Sequence, residues 1–73
     1  MPFVGKNVRE LRAREEFTLA DLASLMGLSS QQIDHYEKGL SQPKIEPLDR
    51  LYEIARQRGH YDLVFYEPPM NRE

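Results

Sequence analysis

Between Thr18 and Gly39 the chain reads as two short helices in tandem, each opened by a hydroxyl residue and each closed by a glycine. Thr18-Leu19-Ala20-Asp21 has the form of a capping box: the threonine oxygen accepts from the N–H of Asp21 while that carboxylate reaches back to the start. Leu22, Ala23 and Met26 then face inward, and Gly27 supplies the left-handed residue that ends the helix. Ser29 or Ser30 opens the next helix, Ile33 and Tyr36 form its inner face, and Gly39 ends it. Ala23, four residues before Gly27, is small enough for the two helices to cross closely. Ile33, six residues beyond, plugs the crossing.

Two helices joined by a glycine-containing turn of this length form a helix-turn-helix. The flanking sequence supplies more helices to pack on it. Val4, Val8 and Leu11 fall at i, i+4 and i+7, so residues from about 6 to 16 read as an amphipathic first helix. Leu40 to Lys44 is a loop, and Pro47 suits the first turn of a further helix carrying Leu48, Leu51, Ile54 and Ala55 up to Gly59. The fold class expected is therefore all-α, a bundle of four or five helices over residues 1–59. Residues 60–73 read as a separate element. Tyr61-Asp62-Leu63-Val64-Phe65-Tyr66 is rich in aromatic and β-branched residues and bounded by Gly59 and Pro68-Pro69, which reads as a strand. A short fifth helix, or a coil folded over the core, is the alternative. A lone strand leaves unpaired backbone groups, and the simplest repair is the same strand from a second copy. Tyr61, Leu63, Val64, Phe65 and Tyr66 are on that reading a homodimer interface, with Met70 to Glu73 a frayed tail.

The chain has 73 residues and no cysteine, so neither disulfides nor a thiolate zinc site support a small core. A partner subunit would help. No apolar run approaches the ~18 residues of a membrane span and no signal peptide is visible, so a cytoplasmic location is expected. His35 and His60 lie far apart, which argues against a metal site, and no cofactor motif occurs. No nucleophile sits beside a base and no glycine-rich phosphate cradle appears, so an enzyme is not expected. The formal charge of −2 speaks against nucleic acid until its distribution is considered. Residues 1–14 carry Lys6, Arg9, Arg12 and Arg14 against Glu10 alone, whereas acids outnumber arginines beyond residue 45. A basic end binds phosphates on its own, because other charges are screened beyond ~8 Å.

Arg12, the run Thr18 to Ala23, Gly27 to Ser29, Ile33, Tyr36-Glu37-Lys38-Gly39 and Pro43 together resemble the Cro/CI (Xre-type) helix-turn-helix family, lambda-repressor-like in fold. The resemblance covers about residues 6–56. It implies that the helix after Gly27 enters the major groove of double-stranded DNA with its N-terminal residues toward base edges. Ser30, Gln31, Gln32 and His35 are the base contacts so implied, and glutamine amides suit adenine. Phosphate contacts fall to Lys6, Arg9, Thr18, Leu19, Lys38, Ser41, Gln42 and Lys44, the helix start at Thr18 acting through backbone N–H groups. Arg12 and Glu37 are implied to form a structural ion pair. Two departures stand out: Leu19 replaces a common glutamine, and Asp34 brings an acid to the reading helix. Leu25, at an outward position, either packs on the first helix or marks a partner surface. His60 reads as a partner for a helix C-terminus.

The function expected is a sequence-specific transcriptional regulator, a repressor by default, acting on a twofold-symmetric operator and in some cases on its own operon. A terminal strand is also similar to that of HipB-like antitoxins. The alternative is therefore an antitoxin or adaptor that holds a protein partner such as a toxin.

Overall fold

The computed structural model describes residues 3–66. Four helices follow one another, α1 (Gly5–Glu15), α2 (Leu19–Met26), α3 (Ser30–Lys38) and α4 (Ile45–Gln57). Their limits follow from local chemistry. Thr18 Oγ1 accepts from the N–H of Asp21 at 3.0 Å, and the N–H of Thr18 donates to Asp21 Oδ2 at 2.9 Å, the reciprocal pair expected from the sequence. Gly27 (φ 70°) and Gly39 (φ 76°) close α2 and α3 in the left-handed region. Beyond them the N–H of Leu28 reaches the Ala23 carbonyl, and that of Leu40 the His35 carbonyl, both at 2.9 Å. These bonds satisfy carbonyls that the helix ends would otherwise strand. α1 ends differently, on Glu16 at φ 57°, a left-handed conformation held by a residue that carries a Cβ.

Buried side chains from all four helices form one core: Val8 and Leu11, Leu22 and Ala23, Ile33 and Tyr36, and Leu51, Ile54 and Ala55. Leu25 packs against this core from its rim, so its apolar character has a structural use. The first turn of α1 lies against the end of α3. A Cβ on Gly5 would collide with the Tyr36 carbonyl oxygen, so only glycine permits that approach.

The expected C-terminal strand does not form. Residues 61–66 are turns and extended chain, and the one ladder contact among the described residues is an isolated antiparallel bridge between Phe3 and Tyr66 of the same chain. Nor is there a fifth helix among the described residues. The backbone partners that a second copy was invoked to supply come from within. The N–H of Val4 donates to the Phe65 carbonyl at 2.8 Å, and Asn7 Nδ2 donates to the Val64 carbonyl at 2.7 Å. The Tyr52 hydroxyl accepts from the N–H groups of Phe65 and Tyr66 at 3.0 and 3.3 Å. Leu63 and Phe65 are buried in the subunit's own core, while Tyr61 and Val64 face outward. Alternation of in and out is what any extended segment shows when it lies on a core, which is why the pattern mimicked a strand. The tail assigned to residues 70–73 lies outside the described residues.

His60 departs from expectation as well. Its backbone N–H, not its ring, meets the end of α4, at the Ala55 carbonyl. The ring lies between Glu15 Oε2 at 2.6 Å and Arg14 at 3.4 Å, and so ties α1 to the chain beyond α4.

Candidate nucleic-acid interface

α2 and α3 meet across the turn at Gly27, and α1 packs on α3 from the other side. The inner face of α3 carries Ile33 and Tyr36, with burial pushing the Tyr36 hydroxyl above its ordinary pKa. Glu37 completes that face. Its side chain is only 1% exposed, and it is bound by Arg12 through Nε to Oε2 at 2.5 Å and through a second nitrogen to Oε1 at 3.0 Å. Arg12 also donates to the Phe17 carbonyl at 3.1 Å. The hydrogen bonds to Glu37 raise the guanidinium above its ordinary pKa, against the opposing effect of burial. A buried carboxylate left without its arginine costs ~3–5 kcal/mol, so the pair fixes the rotation of α3 against α1.

Fixing that rotation determines what α3 presents outward. Gln31, Gln32 and Lys38 are exposed, and Ser30 and His35 are half-buried. Residues four apart share a helical face, so Gln31 and His35 form one outward strip, with Lys38 one turn beyond His35. Gln32 is engaged with the helix start. Its Oε1 accepts from the N–H of Ser29 at 3.3 Å, while Ser29 Oγ accepts from the N–H of Gln32 at 3.2 Å. Ser29 is thus the cap, and Ser30 the first residue of the helix. The Ser-x-x-Gln spacing carried this signal in the sequence, obscured by reading the two glutamines as equivalent.

Asp34 also has a local partner. Its carboxylate lies 3.1 Å from Lys38 Nζ, one turn along the helix. The acid that stood out on the reading helix is offset by the lysine counted as a phosphate contact. The i, i+4 spacing of acid before lysine was legible in the sequence.

The remaining basic and polar candidates are spread over several elements. Lys6 is exposed in the first turn of α1, next to the Gly5 contact with α3. Arg9 is 69% exposed but leans toward Glu37, with Nε at 3.6 Å from Oε1, so it is a second counter-ion of the buried acid as well as a surface cation. Thr18 lies at the start of α2, where its hydroxyl is engaged with Asp21. Leu19 packs its side chain against the core, which leaves only its backbone N–H to meet an anion. Ser41, Gln42 and Lys44 are exposed in the loop between α3 and α4, with Pro43 buried between them. Gln42 Oε1 lies 3.5 Å from the Tyr66 hydroxyl, which links that loop to the C-terminal segment.

Arginines beyond residue 12 serve mostly within the fold. Arg14 forms a two-pronged pair with Asp62 at 2.9 Å on both sides and meets Glu10 at 3.1 Å. Arg14 holds the Asp62 carboxyl at about 2. Arg50 donates to the Leu25 carbonyl and to Glu53. Nothing in the sequence pointed to the Arg14–Asp62 or Glu15–His60 contacts, because their partners lie more than forty residues apart.

Comparison with known proteins agrees with this geometry. Residues 4–59 match the model of a family described as a helix-turn-helix domain. A protein of Pyrococcus abyssi, provisionally named an HTH-type transcriptional regulatory protein, is 36% identical over 50 residues. A similarly named protein of Pyrococcus furiosus shows the same identity over a stretch of the same length. Each match takes in 68% of this chain and 16% of the relative, so the shared part is one module of a longer protein there. With the match spanning all four helices and the turn at Gly27, this chain belongs to the helix-turn-helix domain family.

Proposed function

We propose that this protein is a sequence-specific DNA-binding transcriptional regulator of the Cro/CI type, with α3 entering the major groove. The observation that carries this reading is the polar outward strip of α3, with Gln31 exposed and His35 half-buried, on a helix whose rotation is fixed by the buried Arg12–Glu37 pair. Base reading falls to the first two turns of α3, where amide and imidazole groups meet base edges. Phosphate holding falls to Lys6 and Lys44, to the start of α2, and to the polar loop at Ser41 and Gln42. Because Lys38 is paired with Asp34 and Arg9 leans on Glu37, few unpaired cations remain among the described residues of a subunit. Modest affinity per subunit favours a homodimer on a twofold operator, its half-sites about 34 Å apart. Among the described apolar and aromatic residues of the C-terminal segment, Tyr61 and Val64 are exposed and available for such a contact. Repression by occlusion, including of its own operon, follows for a module of this kind.

The antitoxin or adaptor reading drew on a strand open to a partner. Leu63 and Phe65 are used inside the subunit, so that segment gives it no support.

A gel shift on the DNA upstream of the gene, with random duplex as control and salt varied, tests the proposal. Gln31→Ala should relax sequence preference, since a bidentate glutamine–adenine pair is worth ~1–3 kcal/mol of discrimination. Lys6→Ala or Lys44→Ala should weaken binding to all duplexes and lower the salt slope by about 1 each. Equal losses on specific and random DNA from both kinds of variant would sink the assignment.

A further inference from the structure

We propose that Gln32 does not read a base but positions α3 for reading, so that sequence discrimination rests on the strip of Gln31 and His35. The inference rests on the DNA-binding reading above. An amide that recognises adenine uses both of its ends at once, the oxygen accepting from N6 and the nitrogen donating to N7. The Gln32 oxygen instead accepts from the N–H of Ser29, three residues back, and so turns that end of the amide toward the helix start. The adjacent Ser29 hydroxyl is held by the Gln32 N–H in return, so both halves of the box are closed. Gln31 is exposed and makes no side-chain hydrogen bond among the described residues. Two neighbouring glutamines of the same type therefore have different tasks. Gln32 and Ser29 set where helical geometry begins, and that start fixes the direction from which Gln31 and Ser30 approach a base.

One consequence separates this assignment from a base-reading Gln32. Ser29 and Gln32 each hold the same helix start through a separate bond, so removing either side chain must disturb recognition in the same way, without changing which base is preferred. Selection from random duplexes, followed by affinity measurement on the enriched site, reads this directly with the intact protein. Gln31→Ala should flatten preference at one base-pair position. Ser29→Ala and Gln32→Ala should each weaken binding by at most about fivefold, the bound set by a cap worth ~1 kcal/mol of helix stability. Each should also keep the wild-type order of bases at every position, and so should the double variant, which lacks both bonds. Gln32→Glu, which retains an oxygen acceptor for the Ser29 N–H, should regain the wild-type preference pattern even where its charge lowers affinity for all DNA. Loss of preference at a single base pair in Gln32→Ala but not in Ser29→Ala would overturn the assignment. So would a Gln32→Glu pattern that matches a loss of preference in Gln32→Ala. A wild-type protein that enriches no sequence would instead remove the DNA reading itself, and this assignment with it.

Discussion

In α2 and α3 every helix end is tied by bonds that span three to five residues: Thr18 with Asp21, Ser29 with Gln32, Leu28 with Ala23, Leu40 with His35. In the segment from 61 to 66 the ties run to Asn7, Tyr52 and Arg14, at separations of 57, 13 and 48 residues. Both regions contribute to one core, yet they differ in what specifies them. The tandem helices carry their own starts and stops. The C-terminal segment has no internal pattern of hydrogen bonds and takes its path from the surface it covers. Long-range ties of this kind are lost together when that surface is disturbed, whereas a helix cap fails by itself.

Four substitutions test that contrast, and the first two carry the largest effects. Glu37→Ala removes the one buried acid of α3 and strands Arg12, which remains 20% exposed. The expected loss is ~3 kcal/mol, at the low end for a broken buried pair because the arginine keeps some water. Chemical denaturation should show it as a lower midpoint with an unchanged slope. Phe65→Ala empties the fully buried site that anchors the C-terminal segment, at a cost of ~3–5 kcal/mol. If that segment is tied only from a distance, its amides should exchange with solvent faster in this variant before α2 and α3 do. Simultaneous exchange in both regions would erase the distinction.

Tyr52→Phe is the sharper probe, because it leaves the ring and its edge-on packing with Phe65 at 5.1 Å while deleting the hydroxyl. Two N–H groups, those of Phe65 and Tyr66, lose their acceptor, and ~1–3 kcal/mol should follow where they stay buried. Asp62→Asn should have the smallest effect, and one that depends on pH. Arg14 lowers the Asp62 carboxyl from 3.8 to about 2, so the charged form is favoured in the folded chain. The stabilisation is therefore complete above about pH 4 and disappears as pH falls through 2. Melting curves of the wild type and the asparagine variant should converge at the acid end and separate above it. A constant difference across that window would show that Asp62 acts by packing and not by charge.

Legibility followed the same division. The capping box at Thr18, the stops at Gly27 and Gly39, the placement of Pro47 in the first turn of α4 and the inner residues of each helix were readable from spacing alone. The Arg12–Glu37 contact came from a family resemblance, since nothing local relates residues 25 apart. The capping bond of Gln32 was not drawn from the sequence although its signal was local, because the third residue of a helix can serve the cap as well as face outward. Asp34 looked anomalous until Lys38 was placed beside it.

What the sequence alone determined was the tandem of helices and the residues that face inward on them, because caps, glycine stops and a 3.6-residue period act within one or two turns. What only the tertiary structure decided was where residues 61–66 go and which polar groups of α3 remain unengaged. An extended hexapeptide alternates its side chains whether it pairs with a second copy or lies on its own core. The choice between them is made by partners elsewhere in the chain: the Tyr52 hydroxyl, the Val4 N–H and a core with room for Phe65.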